Sequence, residues 1–261
     1  MNISKMKIAS VKRLLQKKYR EEAGMFIVEG WKSVEEAMNA NANIETLIYN
    51  PIDKINKKLL AKLQGSINEI FEATEKEMQT ISDTVTTQGI IAVVKKMDSE
   101  SALDKIRKKS EAVIVSLETM NDPGNLGTIV RTCDWFGVDA LVIGENSVEL
   151  YNPKVVRATM GSIFHFPIIE NVNLEIFLRQ SQKDGFTIYS SELKKSDDIR
   201  EIQWQKKSVI LIGSESHGIS EKISALADKK IFIPKYGKAE SLNAAMACGI
   251  ILSQITLNHK N

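Results

Sequence analysis

Residues 112–136 read AVIVSLETMNDPGNLGTIVRTCDWF. The run opens on Ala112–Leu117, apolar except for Ser116 and rich in Val and Ile, the composition of a strand buried on both faces. Asp122-Pro123-Gly124 is a turn signal. Gly127–Phe136 then has helical spacing, with Ile129, Val130, Cys133 and Phe136 on one face. A buried strand that passes through a Gly- and Asn-containing turn into a helix opens a βαβ unit, so the stretch predicts a parallel sheet. Asn125 can cap a helix starting near Gly127. Arg131, about one turn further on, can reach back to the mouth of the loop. Taken singly, a plain cap and a surface ion pair account for these two residues equally well.

Downstream the alternation continues. Ala140–Ile143 reads as a strand, and Pro153–Thr159 as a helix with proline in its first turn. Leu174–Gln182 is a helix, Thr187–Ser190 and Ser208–Ile212 are strands, Ser220–Ala227 is a helix, Lys230–Ile233 is a strand, and Asn243–Leu257 is a long apolar helix. In such sheets ligands collect beyond the carboxyl ends of the strands, so two further loops matter. Gly213–Gly218, GSESHG, can form a cradle of backbone N–H groups. Its second glycine is followed by Ile219-Ser220, not Lys-Ser/Thr, which excludes a P-loop, and GxGxxG is absent from the chain. Glu215 is a lone carboxylate there, and His217 has no acid or nucleophile at a recognisable spacing. Ile233–Asn243, IPKYGKAESLN, has Gly237 for a turn and Ser241 and Asn243 as candidate caps.

Upstream lies a smaller α/β alternation. Its strands are predicted at Met25–Val28, Thr46–Tyr49, Ile67–Phe71 and Gly89–Val94, and its helices at Ser33–Ala40, Lys57–Leu63 and Glu75–Ile81. The polar stretch KKMDSESALDKIRKK, residues 95–109, ends it and holds at most one short helix. The expected division is therefore 1–107 and 108–261. Lys5, Lys7, Lys12, Arg13, Lys17, Lys18 and Arg20 all precede the first acid, Glu21. With Ile8, Val11 and Leu15 at i, i+3, i+7 on a packing face, a helix here keeps a basic face that suits phosphates; a merely solvated face fits as well.

Composition narrows the classes. Hydrophobic residues are 43% and charged residues 26%, a globular balance. The net charge of +2 excludes a grossly basic coat but not a local patch. Two cysteines, Cys133 and Cys248, and three separated histidines argue against a disulfide framework and a zinc site. No apolar run has the length of a membrane span. Met1–Arg20 lacks the apolar core of a signal peptide, so a soluble cytoplasmic protein is expected.

Three motifs in order carry a resemblance: Asn125-x-Gly127-x-x-x-Arg131, then Gly213-x-Glu215-x-x-Gly218, then Ser241-Leu242-Asn243 ahead of an Ala-rich helix. Together they resemble the SpoU (TrmH-like) branch of the SPOUT RNA methyltransferases. Val155–Ser162, VVRATMGS, is similar to that family's intermediate segment, and Phe26–Gly30, FIVEG, to the start of its attached substrate-binding domain. One departure is Ser214-Glu215-Ser216 where many relatives have Asn-Glu-Gly; the glutamate is retained.

The resemblance implies an α/β protein with a trefoil-knotted C-terminal methyltransferase domain and a small ribosomal-protein-like N-terminal domain that grips RNA through residues 1–107. It implies S-adenosylmethionine bound by Leu117, Gly213, Ile233 and Leu242, and no metal. Arg131 would be catalytic, with Asn125, Glu215, Ser241 and Asn243 shaping the site. It also implies a homodimer acting on a ribose 2′-hydroxyl, in ribosomal RNA ahead of transfer RNA. A non-catalytic RNA-binding protein on the same fold is the rival reading.

Overall fold

The computed structural model of the chain describes residues 1–52, 60, 61, 67, 69–193, 196–214 and 218–259, without the side chains of 100, 258 and 259. The helix expected at Lys57–Leu63 falls largely outside the described residues. The chain packs as two compact units. One is Met1–Met97 with Glu149–His165, and the other is Asp98–Val148 with Phe166–Asn261. No helix among the described residues is long and apolar enough to cross a membrane.

The first unit is built on a four-stranded sheet of order β1-β4-β2-β3. Its strands are β1 (Met25–Glu29), β2 (Ile44–Tyr49), β3 (Glu69–Glu72) and β4 (Ile90–Lys95). β4 runs antiparallel to β1 and β2, and β2 parallel to β3. The helix Glu75–Ile81 matches its expected limits, because Thr74 and Glu77 close a capping box at its start. The basic N-terminus departs from expectation. It is two helices, Lys5–Arg13 and Lys17–Ala23. The break lets Leu14 join Val11 in the core, with Ile8 and Leu15 at its margin. It also resets the helical phase of the second helix and turns Arg20 inward.

Arg20 is 2% exposed, so its assignment to a basic RNA-facing surface is corrected. Its Nε and Nη2 donate to the two carboxylate oxygens of Glu149 at 3.0 and 2.5 Å, and its Nη1 donates to the Leu14 carbonyl at 2.7 Å. The bidentate fork satisfies a carboxylate that would be costly to bury alone.

Glu149 belongs to a segment that lies between two strands of the other unit in sequence yet packs with the first. Its helix Pro153–Thr159 starts on proline as expected, with Asn152 capping. Tyr151 and Phe164 pack on Phe26 at 4.5 and 6.1 Å between ring centres. Arg157 pairs with Asp83 at 3.2 Å. Met160 ends the segment's helix, and Gly161 follows at φ +100°, where a Cβ would lie 2.4 Å from the Glu36 Cγ. The expected boundary at 107/108 thus differs from the packing twice. Residues 149–165 join the first unit, and the helix Glu100–Arg107 joins the second through Leu103 and Ile106. Two apolar residues in an otherwise charged stretch hid that helix's allegiance.

The second unit carries a seven-stranded sheet of order β7-β6-β5-β10-β8-β11-β9, with every pair parallel. The strands are β5 (Ala112–Leu117), β6 (Ala140–Gly144), β7 (Ile168–Val172), β8 (Thr187–Ser191), β9 (Asp197–Asp198), β10 (Lys207–Ile212) and β11 (Lys229–Phe232). β6 is buried throughout and β10 nearly so, hence the continuous apolar runs. On one face Ile114, Val142, Val209 and Leu211 meet Phe177 and Leu178 of the helix Leu174–Lys183. Helix Ala244–His259 packs along helix Pro123–Phe136. β7 and β9 lack a sequence signal: β7 turns polar after two isoleucines, and β9 is two aspartates. The helix expected over Ser220–Ala227 is only Glu221–Ser224.

Among the described residues, Arg20→Ala leaves the buried Glu149 with Lys96, at 3.8 Å, as its remaining ion pair. The expected loss is about 3 kcal/mol in urea unfolding, partly recovered by adding Glu149→Gln. A loss well below about 1 kcal/mol would show that the pair is replaceable.

Candidate active site

Parallel strands present their carboxyl ends on one edge, so the loops after β5, β10 and β11 share that edge. β5 and β10 are neighbours, with Leu117 opposite Ile212. The backbone N–H of Glu118 donates to the Ile212 carbonyl at 3.0 Å. The Glu118 carboxylate accepts from the Ser220 N–H at 2.8 Å and its hydroxyl at 2.7 Å. Ser220 also caps the helix Glu221–Ser224. Glu118 therefore pins the second loop to the first. Sequence patterns do not single it out, because the signal exists only once the two strands are known to be adjacent.

Thr119 comes next at φ +55°, a left-handed conformation that β-branched residues rarely adopt. Met120 is held on both sides: its N–H donates to Ser147 Oγ at 3.1 Å and its carbonyl accepts from Val148 N at 2.7 Å. The helix then starts at Pro123, capped by Asp122, whose side chain accepts from the Asn125 N–H at 2.7 Å. It begins earlier than its spacing suggested, because proline and glycine read as a turn also fit a first helical turn. Asn125 is consequently not the cap. Its side-chain carbonyl accepts from Asn243 Nδ2 at 2.8 Å. Arg131 lies about two turns into the helix, not one. It is exposed, with no hydrogen bond or ion pair among the described residues.

The second loop is pinched. Ser214 and Gly218 exchange backbone hydrogen bonds at 3.1 and 3.0 Å. A Cβ at Gly213 would lie 2.1 Å from the Gly218 carbonyl carbon, so only glycine fits. Glu215 and His217 lie outside the described residues. In the third loop Ile233 is half-buried, while Ser241, Leu242 and Asn243 are exposed. Asn243 has two tasks: its Oδ1 accepts from Ala245 N at 2.9 Å to start the last helix, and its amide donates to Asn125. Leu117 is fully buried at the end of β5. A further carboxylate, Glu192, stands just beyond β8, where Ser190 and Ser224 hydroxyls donate to it at 2.8 and 2.6 Å.

Cys133 and Cys248 meet inside the helix pair. Burial, then the hydrogen bond with Cys248, pushes the Cys133 thiol up, which removes it as a nucleophile. A cavity of about 220 Å³ lined by Ala112, Asp139, Leu252 and Ile255 lies at the amino ends of β5 and β6, away from the loop edge. On the first unit Lys5, Lys12, Arg13, Lys17 and Lys18 are exposed, whereas Lys7 is tied to Glu69 at 2.5 Å.

Removing the Glu118 carboxylate frees the Ser220 amide. In Glu118→Ala, hydrogen exchange at Ser220 should speed up about tenfold, the scale of a charged hydrogen bond near the surface, with β5 amides unchanged. Unaltered exchange at Ser220 would remove Glu118 from the clamp.

Residues 112–253 match the SpoU rRNA methylase family, and residues 5–92 match an MRM3-like substrate binding domain. The chain is 29% identical over 246 residues to the 23S rRNA (guanosine(2553)-2′-O)-methyltransferase RlmP of Bacillus subtilis, covering 94% of each chain. It is 30% identical to an uncharacterized tRNA/rRNA methyltransferase of Mycoplasma genitalium, over 90% of this chain and 98% of that one. The AdoMet-bound rRNA methyltransferase of Sinorhizobium meliloti superposes with a TM-score of 0.87 at 30% identity, over 99% of this chain and 98% of that one. The fold is shared as well with the SpoU methyltransferase AviRb of Streptomyces viridochromogenes, at a TM-score of 0.88 and 23% identity over 99% of each chain. The chain belongs to the SpoU rRNA methylase family.

Proposed function

We propose that this protein transfers a methyl group from S-adenosylmethionine to a ribose 2′-hydroxyl of ribosomal RNA. The observation that carries the reading is the joining of three motif loops by two polar links, Glu118 to Ser220 and Asn125 to Asn243. The pinch brings the backbone of Gly213 and Gly218 together at the end of β10, which supports a cofactor cradle there. Leu117, Gly213, Ile233 and Leu242 would hold the cofactor there, in the knotted backbone that family membership implies. The cofactor supplies a methyl group already activated by a sulfonium leaving group.

What remains for the chain is to position the hydroxyl and assist its deprotonation. A guanidinium group holds its proton too tightly to be a good base, so Arg131 serves as a charged donor. It holds the hydroxyl or the adjoining phosphate in line, and its exposed head, unpaired among the described residues, is available for that contact. Asn125, Glu215, Ser241 and Asn243 shape the pocket. The exposed Lys5, Lys12, Arg13, Lys17 and Lys18 grip RNA backbone phosphates other than that of the reacting nucleotide. The likeness to bacterial rRNA methyltransferases supports a cytoplasmic location.

We also infer a homodimer. Trp135, Met246, Ile250 and Leu257 are exposed on two helices that pack together, and Trp135 is 85% open. Large apolar side chains left open on one helix pair favour association.

Radiolabelled methyl donor and unmodified ribosomal RNA should give one alkali-resistant labelled dinucleotide, because 2′-O-methylation removes the hydroxyl that backbone cleavage needs. Label on a base, or on transfer RNA alone, would refute the assignment. Arg131→Ala should lower transfer at least a hundredfold while calorimetry finds donor affinity within a few-fold of wild type. Trp135→Glu with Ile250→Glu should shift sedimentation at micromolar concentration from dimer to monomer; a wild-type chain already monomeric and active would end the dimer proposal.

A further inference from the structure

The loop between β11 and the last helix carries a feature that the motif residues do not explain. Lys235, Tyr236 and Lys238 are all exposed, and Tyr236 is 85% exposed although it is an aromatic ring. The ring is nevertheless tethered. Its hydroxyl accepts from Arg200 Nη1 at 2.8 Å. Arg200 is itself locked: Nε lies 3.0 Å from each oxygen of Asp198, Nη2 donates at 2.5 Å, and the backbone N–H donates at 2.9 Å. Asp198 lies in β9, which pairs with β11, the strand that feeds this loop. The Arg200 guanidinium holds the Asp198 carboxyl below the usual carboxylate range.

We propose that Tyr236 is a stacking platform for a nucleobase of the RNA substrate beside the reacting nucleotide, with Lys235 and Lys238 on the neighbouring phosphates. This rests on the reading of the protein as an RNA methyltransferase and adds a contact to it. A ring tethered at its hydroxyl keeps its faces free, and much of the entropy cost of ordering it is met before binding. An aromatic face between cations is the pairing that unstacked RNA bases and their phosphates use. An apolar protein surface would instead have to desolvate both lysines without compensation. The loop's acid, Glu240, lies beyond Lys238. The platform is also well sited: the same loop runs on to Ser241 and to Asn243, which bonds to Asn125.

The test is binding of full-length protein to an unmodified large-subunit ribosomal RNA transcript, with methylation kinetics in parallel. Tyr236→Ala should weaken RNA binding about tenfold, within the range for loss of one stacked base, and raise KM for RNA in proportion. Calorimetric donor affinity, thermal stability and sedimentation should not change. Tyr236→Phe keeps the face and should stay within about threefold of wild type; Arg200→Met frees the ring and should fall between the two. Lys235→Ala with Lys238→Ala should lower the log–log salt slope by about 1.4, from roughly 0.7 per single-strand phosphate contact. If wild type and Tyr236→Ala bind the RNA alike, or if Tyr236→Ala loses affinity only by becoming monomeric, the platform is overturned. If wild type neither binds nor methylates the transcript, the parent reading fails instead.

Discussion

The parallel pairing of β5 with β10 is the constraint on which the site depends. It sets Leu117 opposite Ile212, so the next residues, Glu118 and Gly213, leave the sheet side by side. A parallel pair cannot be closed by a tight turn; a crossover must separate the strands. Two loops far apart in the chain therefore meet at one edge, and a single carboxylate can span them. The Glu118 bonds to Ser220 do this across 102 residues. Without that adjacency Gly213 would be an ordinary turn glycine and Ser220 an ordinary cap.

Once the edge exists, a few polar side chains do two jobs each. Ser220 starts a short helix and accepts the restraint from Glu118. Asn243 starts the last helix and reaches the first loop through Asn125. Sharing a residue between a helix cap and an interloop bond couples the position of the loop to the rigidity of the helix behind it. The left-handed Thr119 sits at the same strand end, where surrounding hydrogen bonds on Glu118 and Met120 hold the backbone in a sparsely populated conformation. Among the described residues Arg131 stands apart from this network.

The first unit is less separable than a simple two-domain chain would be. Its core depends on Tyr151 and Phe164 against Phe26, and on Glu149 held by Arg20 across 129 residues. Cutting the chain near residue 108 would strip this segment of the surface it is buried against. Point changes on the exposed lysines are thus a cleaner probe of RNA gripping than truncation.

Local sequence determined a good deal by itself. The runs Ala112–Leu117, Ala140–Ile143 and Ser208–Ile212 declare a parallel sheet because strands covered on both faces must be largely apolar. Glu75–Ile81 and Pro153–Thr159 fall where their caps put them, since a cap is a contact between residues three or fewer apart. The three loops, and with them the family, were legible as spacings. The tertiary structure alone decided the fate of Arg20, which charge counting put on the surface, and of Asn125, which shape and spacing made a cap. It alone revealed Glu118, Glu192 and the Asp198–Arg200–Tyr236 tether. Periodicity records which way a side chain faces along its own element. It holds no information on which distant carboxylate, carbonyl or hydroxyl the fold will bring to meet it.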